Sequence, residues 1–414
     1  MKSIFTLLTA FALLSGSLKA QTNTDSVSVN AGYTHQVWYS FENGEVKSEQ
    51  VDNWDLAFEI NGYNSSIRIN HAGGTQLWIY PTADTAAWGS NLDTTGITNW
   101  PALLNSDTSW AHGAFNNSAD PNDQFDLGWG VYNMTTHHVT GDSIYIIQNT
   151  AGDYKAFKML KLAGGVYTFE LANLDGSDII TRQVDKQAFS ERNFGYYSIT
   201  NDETVNREPN RFDWDITFTQ YGAPMPGFGV YPVTGVLQNK GIEAAEVYPV
   251  NDPESYKDYQ SAQFSTEMNI MGYDWKSYDF NAGGYVIADS TVYFCTDQMG
   301  NYWKLIFSDF GGSSNGTFYF TKEKLGATGF ETFTNKSETT LYPNPVAPGQ
   351  SLRLKTDSQS EPVELTLIDM TGKIVFDKIV EPNTTISTSQ LTGGLYLAKI
   401  KIGNEIRTQK VIVQ

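Results

Sequence analysis

The sequence predicts an all-β protein of two related β-rich units in tandem, followed by a small C-terminal β-sandwich. Composition supports this fold class, because the 414 residues include 23 Tyr, 23 Phe, 10 Trp and 36 Gly. Aromatic side chains pack well on pleated sheets, and glycine supplies the turns between strands. Short runs of alternating apolar and polar residues recur along the chain, whereas few stretches have the 3.6-residue period of a helix.

The first 20 residues have the order of features of a secretory signal peptide. Lys2 gives a positive start, an apolar run covers residues 4–14, and Ala20 is a small residue suited to cleavage. This run is too short to span a bilayer, and no later stretch is long and apolar enough, so we expect no membrane span in the mature chain. We therefore expect a protein that passes through the periplasm and is secreted or held on the outer cell surface.

The two units are predicted from four segments that recur in the same order, about 150 residues apart. The clearest pair is NWDLAFEING at 53–62 and DWDITFTQYG at 213–222. The other pairs are YSFENGEV with YSITNDETV, GDSIYIIQNTAGDYK with ADSTVYFCTDQMGNYWK, and GGVYTFE with GGSSNGTFYF. We predict a first unit at 25–183 and a second at 184–330, both of ordinary domain size.

Period-two alternation in the clearest pair predicts one apolar strand face in each unit. The side chains assigned to these faces are Trp54, Leu56 and Phe58, and then Trp214, Ile216 and Phe218. Asp55 and Asp215 follow the two tryptophans, and each has two interpretations. A structural aspartate that accepts backbone N–H groups at a strand end is favoured over a catalytic carboxylate.

Neither charge nor motifs point to catalysis or to nucleic acid. The net charge of −19 disfavours phosphate backbones and anionic lipid as partners. No catalytic serine, zinc-binding helix, phosphate-binding loop or paired-cysteine motif occurs, so no catalytic residue is assigned. The single Cys295 lies in an apolar run and is interpreted as a buried core residue. A glycosidase remains open, because its two carboxylates can lie anywhere in the sequence.

Beyond Phe330 a polar linker at 331–338 precedes a small β-sandwich at 339–414. This tail closely resembles the type A C-terminal sorting domain of the type IX secretion system. The matching segments are Tyr342-Pro343-Asn344-Pro345, Asp369-Met370-Thr371-Gly372-Lys373, Leu391-Thr392-Gly393-Gly394-Leu395-Tyr396 and Lys410-Val411-Ile412-Val413. The resemblance implies the type IX secretion machinery as a partner, export across the outer membrane, and a tail that is usually removed.

The repeated region resembles the HmuY-like family of secreted proteins. The segments that carry the resemblance are VWYSFENGEV, NWDLAFEINGYNSSIRIN and GWGVYNMTTHHVTGDSIYIIQNTAGDYKAFKM, all in the first unit. The second unit resembles the family more loosely. The resemblance implies an all-β fold and, as in some members, a haem-scavenging role.

Haem would be the only cofactor expected, and it requires axial His or Met ligands. The candidates, all in the first unit, are His71, His112, Met134, His137 and His138. His137 or His138, next to a predicted strand, is the first choice, His71 the second, and Met134 a substitute. Ordinary surface or turn positions are the alternative for each of them. No other metal site is predicted, and the acidic loop at 120–126 is interpreted as a solvated loop rather than a calcium site.

Three functions are therefore carried forward. The first is a non-catalytic, exported binding protein for haem or another small ligand. The second is a surface adhesin or carbohydrate-binding protein, with Trp88, Trp100 and Trp110 as an exposed platform. The third is an extracellular hydrolase.

Overall fold

A computed structural model of the chain describes residues 23–81, 85–225, 227, 229–327, 339–347, 349–356, 362–369, 373–402 and 405–413. The predicted signal peptide, the predicted linker and the tail turns at 370–372 and 403–404 lie outside the described residues. The chain forms two compact units, one that ends at Leu325 and one that begins at Gly326. The described residues are almost entirely β-strand and loop, which confirms the predicted all-β class.

The first fourteen strands precede residue 206. They are β1 (Asn23–Ser28), β2 (His35–Ser40), β3 (Gly44–Gln50), β4 (Leu56–Glu59), β5 (Ile67–Ile69), β6 (Gln76–Ile79), β7 (Gly130–Asn133), β8 (His138–Gly141), β9 (Ile144–Gln148), β10 (Tyr154–Ala163), β11 (Val166–Ala172), β12 (Ile180–Asp185), β13 (Phe194–Ser198) and β14 (Glu203–Val205). Short 3-10 helices lie at Ala31–Tyr33, Thr85–Ala87, Ile97–Asn99, Ala114–Asn116 and Lys186–Phe189.

Eight further strands complete the first unit, and seven form the second unit. They are β15 (Ile216–Met225), β16 (Gly229–Gln238), β17 (Ala244–Val247), β18 (Lys276–Asp279), β19 (Gly284–Ile287), β20 (Val292–Thr296), β21 (Asn301–Phe310) and β22 (Thr317–Ala327), and then β23 (Thr340–Tyr342), β24 (Ser351–Lys355), β25 (Val363–Asp369), β26 (Ile374–Val380), β27 (Thr385–Ser387), β28 (Gly394–Ile402) and β29 (Glu405–Val413). A 3-10 helix at Tyr259–Ser261 and the α-helix α1 (Gly312–Asn315) lie between strands.

The first unit contains two hydrophobic cores, each enclosed by a large sheet and a four-stranded sheet. The first core lies between the seven-stranded sheet of β6–β12 and a sheet of order β14-β13-β4-β5. The second lies between a sheet of order β1-β22-β21-β20-β17 and a sheet of order β16-β15-β2-β3. Buried aromatic residues dominate both cores, with stacked pairs such as Phe58–Phe169 in the first and Phe218–Phe320 in the second.

The two four-stranded sheets exchange strands between the sequence repeats. β2, from the start of the chain, pairs antiparallel with β15, so that Tyr39 lies opposite Ile216. β13 pairs antiparallel with β4, so that Tyr197 lies opposite Leu56. The units drawn at 25–183 and 184–330 thus remain a prediction about the sequence, and neither core follows that boundary.

Asp55 and Asp215 are buried and hold the exchanged strands in place. Asp55 accepts hydrogen bonds from the backbone N–H of Ile199, at 2.6 Å, and of Thr150, at 2.7 Å. Asp215 accepts from the N–H of Phe41, at 2.7 Å, and of Gln298, at 2.9 Å. Ile199 and Phe41 come directly after the exchanged strands β13 and β2, whereas Thr150 and Gln298 lie in turns. The structural interpretation of these aspartates is confirmed.

The tryptophans that precede these aspartates do not enter the two cores, contrary to prediction. Leu56 and Phe58 face the first core, whereas Trp54 packs with Ala57 and Tyr196 on the opposite face of the sheet. The reason is that β4 and β15 begin at Leu56 and Ile216, so the alternation does not extend back to the tryptophans. Trp214 is likewise buried outside the second core.

Cys295, in contrast, is fully buried in the second core, as predicted. It lies in β20, and burial raises the pKa of its thiol.

The second unit is a β-sandwich, as predicted. A three-stranded sheet of order β23-β24-β27 and a four-stranded sheet of order β26-β25-β28-β29 contribute to one hydrophobic core. Ala398 and Ile400 are buried in it, while Lys401 lies on the other face and pairs with Glu364 at 2.9 Å. This alternation along β28 follows the two-residue period of the strand.

Candidate functional site

A cleft lies between the two four-stranded sheets, on the faces opposite the cores. Its space measures about 830 Å³, part of which is open solvent. Because side chains alternate across a strand, residues next to core positions reach it. Ala57 beside Phe58 and Trp38 beside Tyr39 are examples. The aromatic residues that line it are Trp38, Trp54, Trp110, Phe194, Tyr196, Trp214 and Tyr221.

Arg207 lies fully buried behind three of these rings. Its guanidinium carbon is 5.1 Å from the ring centre of Trp38, 5.5 Å from that of Trp54 and 5.2 Å from that of Tyr196. Its N–H groups donate to the Gln36 side chain at 2.7 Å, the Gln50 carbonyl at 2.9 Å and the Asn53 side chain at 3.0 Å. All three acceptors are neutral, and burial lowers the pKa of Arg207.

Arg68 lines the cleft and is also held by neutral groups. It donates to the carbonyl oxygens of Ser106 at 2.7 Å and Ser109 at 2.8 Å, and its guanidinium lies 5.1 Å from the ring centre of Trp110. Burial lowers the pKa of Arg68 to about 10. The Trp110 indole is itself fixed, because its N–H donates to the Gln238 carbonyl at 2.8 Å.

Glu208 is a buried carboxyl in the cleft wall with one oxygen free. Its side chain is 2% exposed, and Oε2 accepts from the Phe194 N–H at 3.0 Å. Oε1 has no hydrogen-bond partner in the described part of the chain. Burial raises the pKa of Glu208 to about 7, against the lowering effect of hydrogen bonds from Phe194 and Asn193.

Four residues of the cleft wall carry buried polar atoms without a partner in the described part of the chain. They are the indole N–H groups of Trp54 and Trp214, the hydroxyl of Tyr221 and Oε1 of Glu208. Buried polar groups are nearly always hydrogen-bonded, so free ones on four residues of one cleft wall leave hydrogen bonds that a water or ligand would complete. The cleft can therefore offer hydrogen bonds as well as aromatic surface.

Among the predicted haem ligands, His71 lines the cleft. It is half-buried, and burial lowers the pKa of its imidazole, which favours the neutral ring. Gly222 leaves room for this imidazole, because a Cβ atom at that position would come within 2.6 Å of His71 Cδ2. His112 lies in a loop with an exposed side chain, and its backbone carbonyl accepts from Arg68 at 3.3 Å.

The other predicted ligands lie on the hairpin of β7 and β8 and are absent from the cleft wall. Met134 is 66% exposed, and His137 and His138 are exposed as well. His137 adopts a positive φ of 56°, and its Nδ1 is 2.8 Å from the Tyr132 hydroxyl. The structure thus separates the first-choice histidines from the cleft that contains His71.

The predicted tryptophan platform is not formed. Trp88 and Trp100 are partly buried against a cluster around Trp78, on the face of the seven-stranded sheet opposite the first core. The Lys158 ammonium also covers the Trp88 ring at 4.7 Å. Trp110 alone among the three lines the cleft. The tryptophans of the sequence suggested an exposed platform for sugars, but composition does not show how the loops that carry them pack.

Sequence reasoning missed Arg68, Arg207 and Glu208. The alternation along the strands could have found some of them. When one face of a strand packs on the core, the polar residues at alternate positions point to the opposite face, where a site can form. Arg68 lies between the core residues Ile67 and Ile69 in this way. Arg207 and Glu208 lie in a loop, where alternation gives no indication.

Metal and membrane features can be stated for the described residues only. They contain no group of three or more His, Cys, Asp or Glu side chains placed to hold a metal ion. Within the same residues, no helix has the length and apolar character needed to span a bilayer. In the acidic loop at 120–126, Asp120 and Asp126 accept backbone N–H groups within the loop.

Three solved structures show distant similarity to this chain. PorZ of Porphyromonas gingivalis, a surface component of the type IX secretion system, is 8% identical with a TM-score of 0.16, covering 68% of this chain and 44% of PorZ. Latent PorU of the same organism is 10% identical with a TM-score of 0.17, covering 67% and 26%. A polysaccharide lyase is 14% identical with a TM-score of 0.15, covering 61% and 40%.

This chain spans less than half of each of these proteins, and similarities with such low TM-scores carry no argument about function. Comparison with curated proteins gives no match. The tail, in contrast, is matched by a family model. Residues 340–414 match the secretion system C-terminal sorting domain, so the chain carries a type IX sorting signal and is a protein of the cell surface or the extracellular space.

Proposed function

We propose that this exported protein is a non-catalytic binding protein whose cleft holds a saccharide. The observation that carries the proposal is the combination, in one cleft, of seven aromatic residues with four buried polar atoms that have no partner among the described residues. Sugar rings present apolar C–H faces that pack on aromatic rings, and hydroxyls that complete such polar sets. Small-ligand sites generally combine an apolar lining with a few convergent polar groups.

The walls are suited to selective binding because their side chains are held before a ligand arrives. Arg207 packs against the Trp38, Trp54 and Tyr196 rings, and Trp110 is fixed by its hydrogen bond to Gln238. A rigid site loses little side-chain entropy on binding. This supports a binding protein over a flexible surface adhesin.

A glycan array followed by calorimetry tests the proposal. Trp54→Phe removes the indole N–H and part of the ring, and should weaken binding about 5- to 30-fold, as expected for a lost hydrogen bond and some contact. Trp88→Phe is the matched control, because the Trp88 indole N–H is also buried and unpartnered, but lies outside the cleft. Equal effects of the two substitutions would contradict the site, and turnover of the bound glycan would favour the hydrolase alternative.

Haem is a second candidate for the same cleft, and the observation that favours it is His71. A neutral, half-buried imidazole among aromatic rings is a competent axial ligand. A saturable Soret shift that is lost in His71→Ala would support this assignment. A shift that survives His71→Ala but is lost in the double variant His137→Ala, His138→Ala would place haem at the β7–β8 hairpin instead. The absence of a shift at one equivalent removes haem.

The export route predicts that both ends are absent from the secreted form. A chain that stops at residue 338 should remain in the periplasm, because the sorting domain that addresses the outer membrane is missing. Intact mass of protein collected outside the cell should lie below the 46.0 kDa of the full chain. Secretion of the shortened chain at wild-type level would contradict the assignment.

A further inference from the structure

We infer that the saccharide of the cleft is acidic, and that a carboxylate or sulfate on it accepts the hydrogen bonds that the cleft walls leave free. This inference rests on the proposed function, since it specifies the class of saccharide. It comes from two observations, the donor character of the free groups and the charges built into the walls.

The free groups are mostly donors. The indole N–H groups of Trp54 and Trp214 have no capacity to accept. Burial raises the pKa of Tyr221, so its hydroxyl keeps its proton. The Tyr221 hydroxyl and the Glu208 carboxyl can accept as well, but burial of Glu208 favours the protonated form, in which it too can donate.

Two side-chain acceptors of the walls are already in use. Asn105 Oδ1 accepts from the N–H groups of Ile69 and Ala114, both at 3.0 Å. Gln36 Oε1 accepts from Arg207 at 2.7 Å. A neutral sugar hydroxyl can accept from the free donors through its oxygen, but it also brings a proton of its own that needs an acceptor. An anionic group supplies several acceptor lone pairs and requires none.

The charges point the same way. Neither Arg68 nor Arg207 forms an ion pair in the described residues. Lys240 is neutralised by its ion pair with Glu59. The carboxylates that act on Arg68 and Arg207 from beyond hydrogen-bond distance are Glu59 and Asp107 for the first, and Glu49 and Glu208 for the second. Arg68 thus lines the cleft and Arg207 lies behind its aromatic rings, each without a directly bonded carboxylate among the described residues, in a chain of net charge −19.

A matched pair of ligands tests the inference on the wild-type secreted protein. Short oligogalacturonides are compared by calorimetry with their methyl esters, which keep every ring and hydroxyl but lose the charge. Hydrogen bonds to charged groups are stronger than neutral ones, so the acid should bind about 10- to 100-fold more tightly. Sulfated carrageenan oligosaccharides and their desulfated forms make a second pair, which separates sulfate from carboxylate as the anionic group.

A variant pair then assigns the binding to the cleft. Tyr221→Phe removes one free donor and should reduce affinity for the acidic ligand about 5- to 20-fold, as expected for one hydrogen bond to an anion. Tyr293→Phe is the matched control, because the Tyr293 hydroxyl is also buried and unpartnered, but lies in the second core. Both changes remove a buried hydroxyl that has no partner, so neither should unfold the protein.

The outcomes separate this inference from the proposed function. Tighter binding of either charged ligand, weakened in Tyr221→Phe and unchanged in Tyr293→Phe, supports it. Equal binding of charged and uncharged forms overturns the acidic ligand and leaves a saccharide site. Binding of neutral glycans alone does the same. If no glycan binds, both the saccharide proposal and this inference are overturned.

Discussion

The two sequence repeats have a glutamate at corresponding positions, but one glutamate is partly exposed and the other is buried. Glu49 and Glu208 each lie three residues beyond the valine that ends a matched segment, Val46 and Val205. The Glu49 side chain is 29% exposed and pairs with Lys47 at 2.9 Å. Glu208 is 2% exposed, and one of its oxygens has no partner in the described residues.

This difference separates the structural features that the two repeats share from those that are specific to the cleft. The strand orders β14-β13-β4-β5 and β3-β2-β15-β16 correspond element by element, and Asp55 and Asp215 accept equivalent backbone hydrogen bonds. The framework is therefore the same on both sides of the cleft. Asymmetry begins where Arg207 and Glu208 replace the exposed Ser48 and the partly buried Glu49, and it gives one side of the cleft its buried charges.

The aspartates provide the largest expected effects and test whether the frameworks are equivalent. Asp55→Ala should destabilise the protein by about 3–6 kcal/mol, because each buried donor left without a partner costs roughly 1–3 kcal/mol. Asp215→Ala should cost less, since burial already raises the pKa of Asp215 to about 6 and makes its ionised form unfavourable at neutral pH. Urea denaturation of both variants, with Asp→Asn as controls, measures this. A larger loss for Asp215→Ala would reverse the comparison.

The paired tryptophans come next. Trp214 is 3% exposed, so Trp214→Ala should cost about 3–5 kcal/mol, the range for a buried large aromatic. Trp54 is only partly buried, so Trp54→Ala should cost about 1–3 kcal/mol from the smaller area lost. Denaturant midpoints for the two variants give the ratio. Equal midpoints would mean that the two tryptophans are equally buried in solution.

Glu208→Gln comes last, because its expected effect depends on pH and vanishes in acid. The pKa of Glu208 is raised from 4.5 to about 7 by burial, with Arg207 and Lys240 as the charged neighbours that act on it. Between these values the unfolded chain releases the proton while the folded protein keeps it, so stability falls as pH rises from 4.5 to 7. The loss above pH 7 is about 3 kcal/mol, and Glu208→Gln should remove it.

The measurement is the melting temperature of wild type and variant from pH 4 to pH 8. Glu208→Gln should be more stable than wild type at pH 8 and equal to it at pH 4. Glu191→Gln, at a position where the side chain is 73% exposed, serves as the control and should follow the wild-type profile. A variant profile that runs parallel to wild type would show that Glu208 ionises freely in the folded protein.

The sequence predicted the fold class, the tail and the role of the aspartates well, because these follow from local periodicity and recurring segments. The strands around Leu56 and Ile216, the buried Cys295 and the alternation at Ala398 all follow this pattern. The exchange of β2 and β13 could not be predicted, because pairing partners more than a hundred residues apart leave no trace in local alternation. Trp54 was assigned to the wrong face for a local reason, because the strand and its alternation begin only at Leu56.

The site was harder to predict than the fold. His71 was a candidate and lines the cleft, but Met134, His137 and His138 belong to a separate hairpin, and haem binding stays a prediction. Arg207 and Glu208 lie in a loop, and their burial depends on the exchanged strands that meet around them. A site built from both halves of the chain cannot be inferred from either half alone.

The exchanged strands also decide how this exported protein responds to proteases outside the cell. A single cut between β12 and β13 would divide the chain near its midpoint, yet it would not free the two parts. The N-terminal fragment would still supply β1, β2 and β3 to the second core, and the C-terminal fragment would still supply β13 and β14 to the first. The nicked protein should therefore remain one particle, with both walls of its cleft in place, until it is denatured.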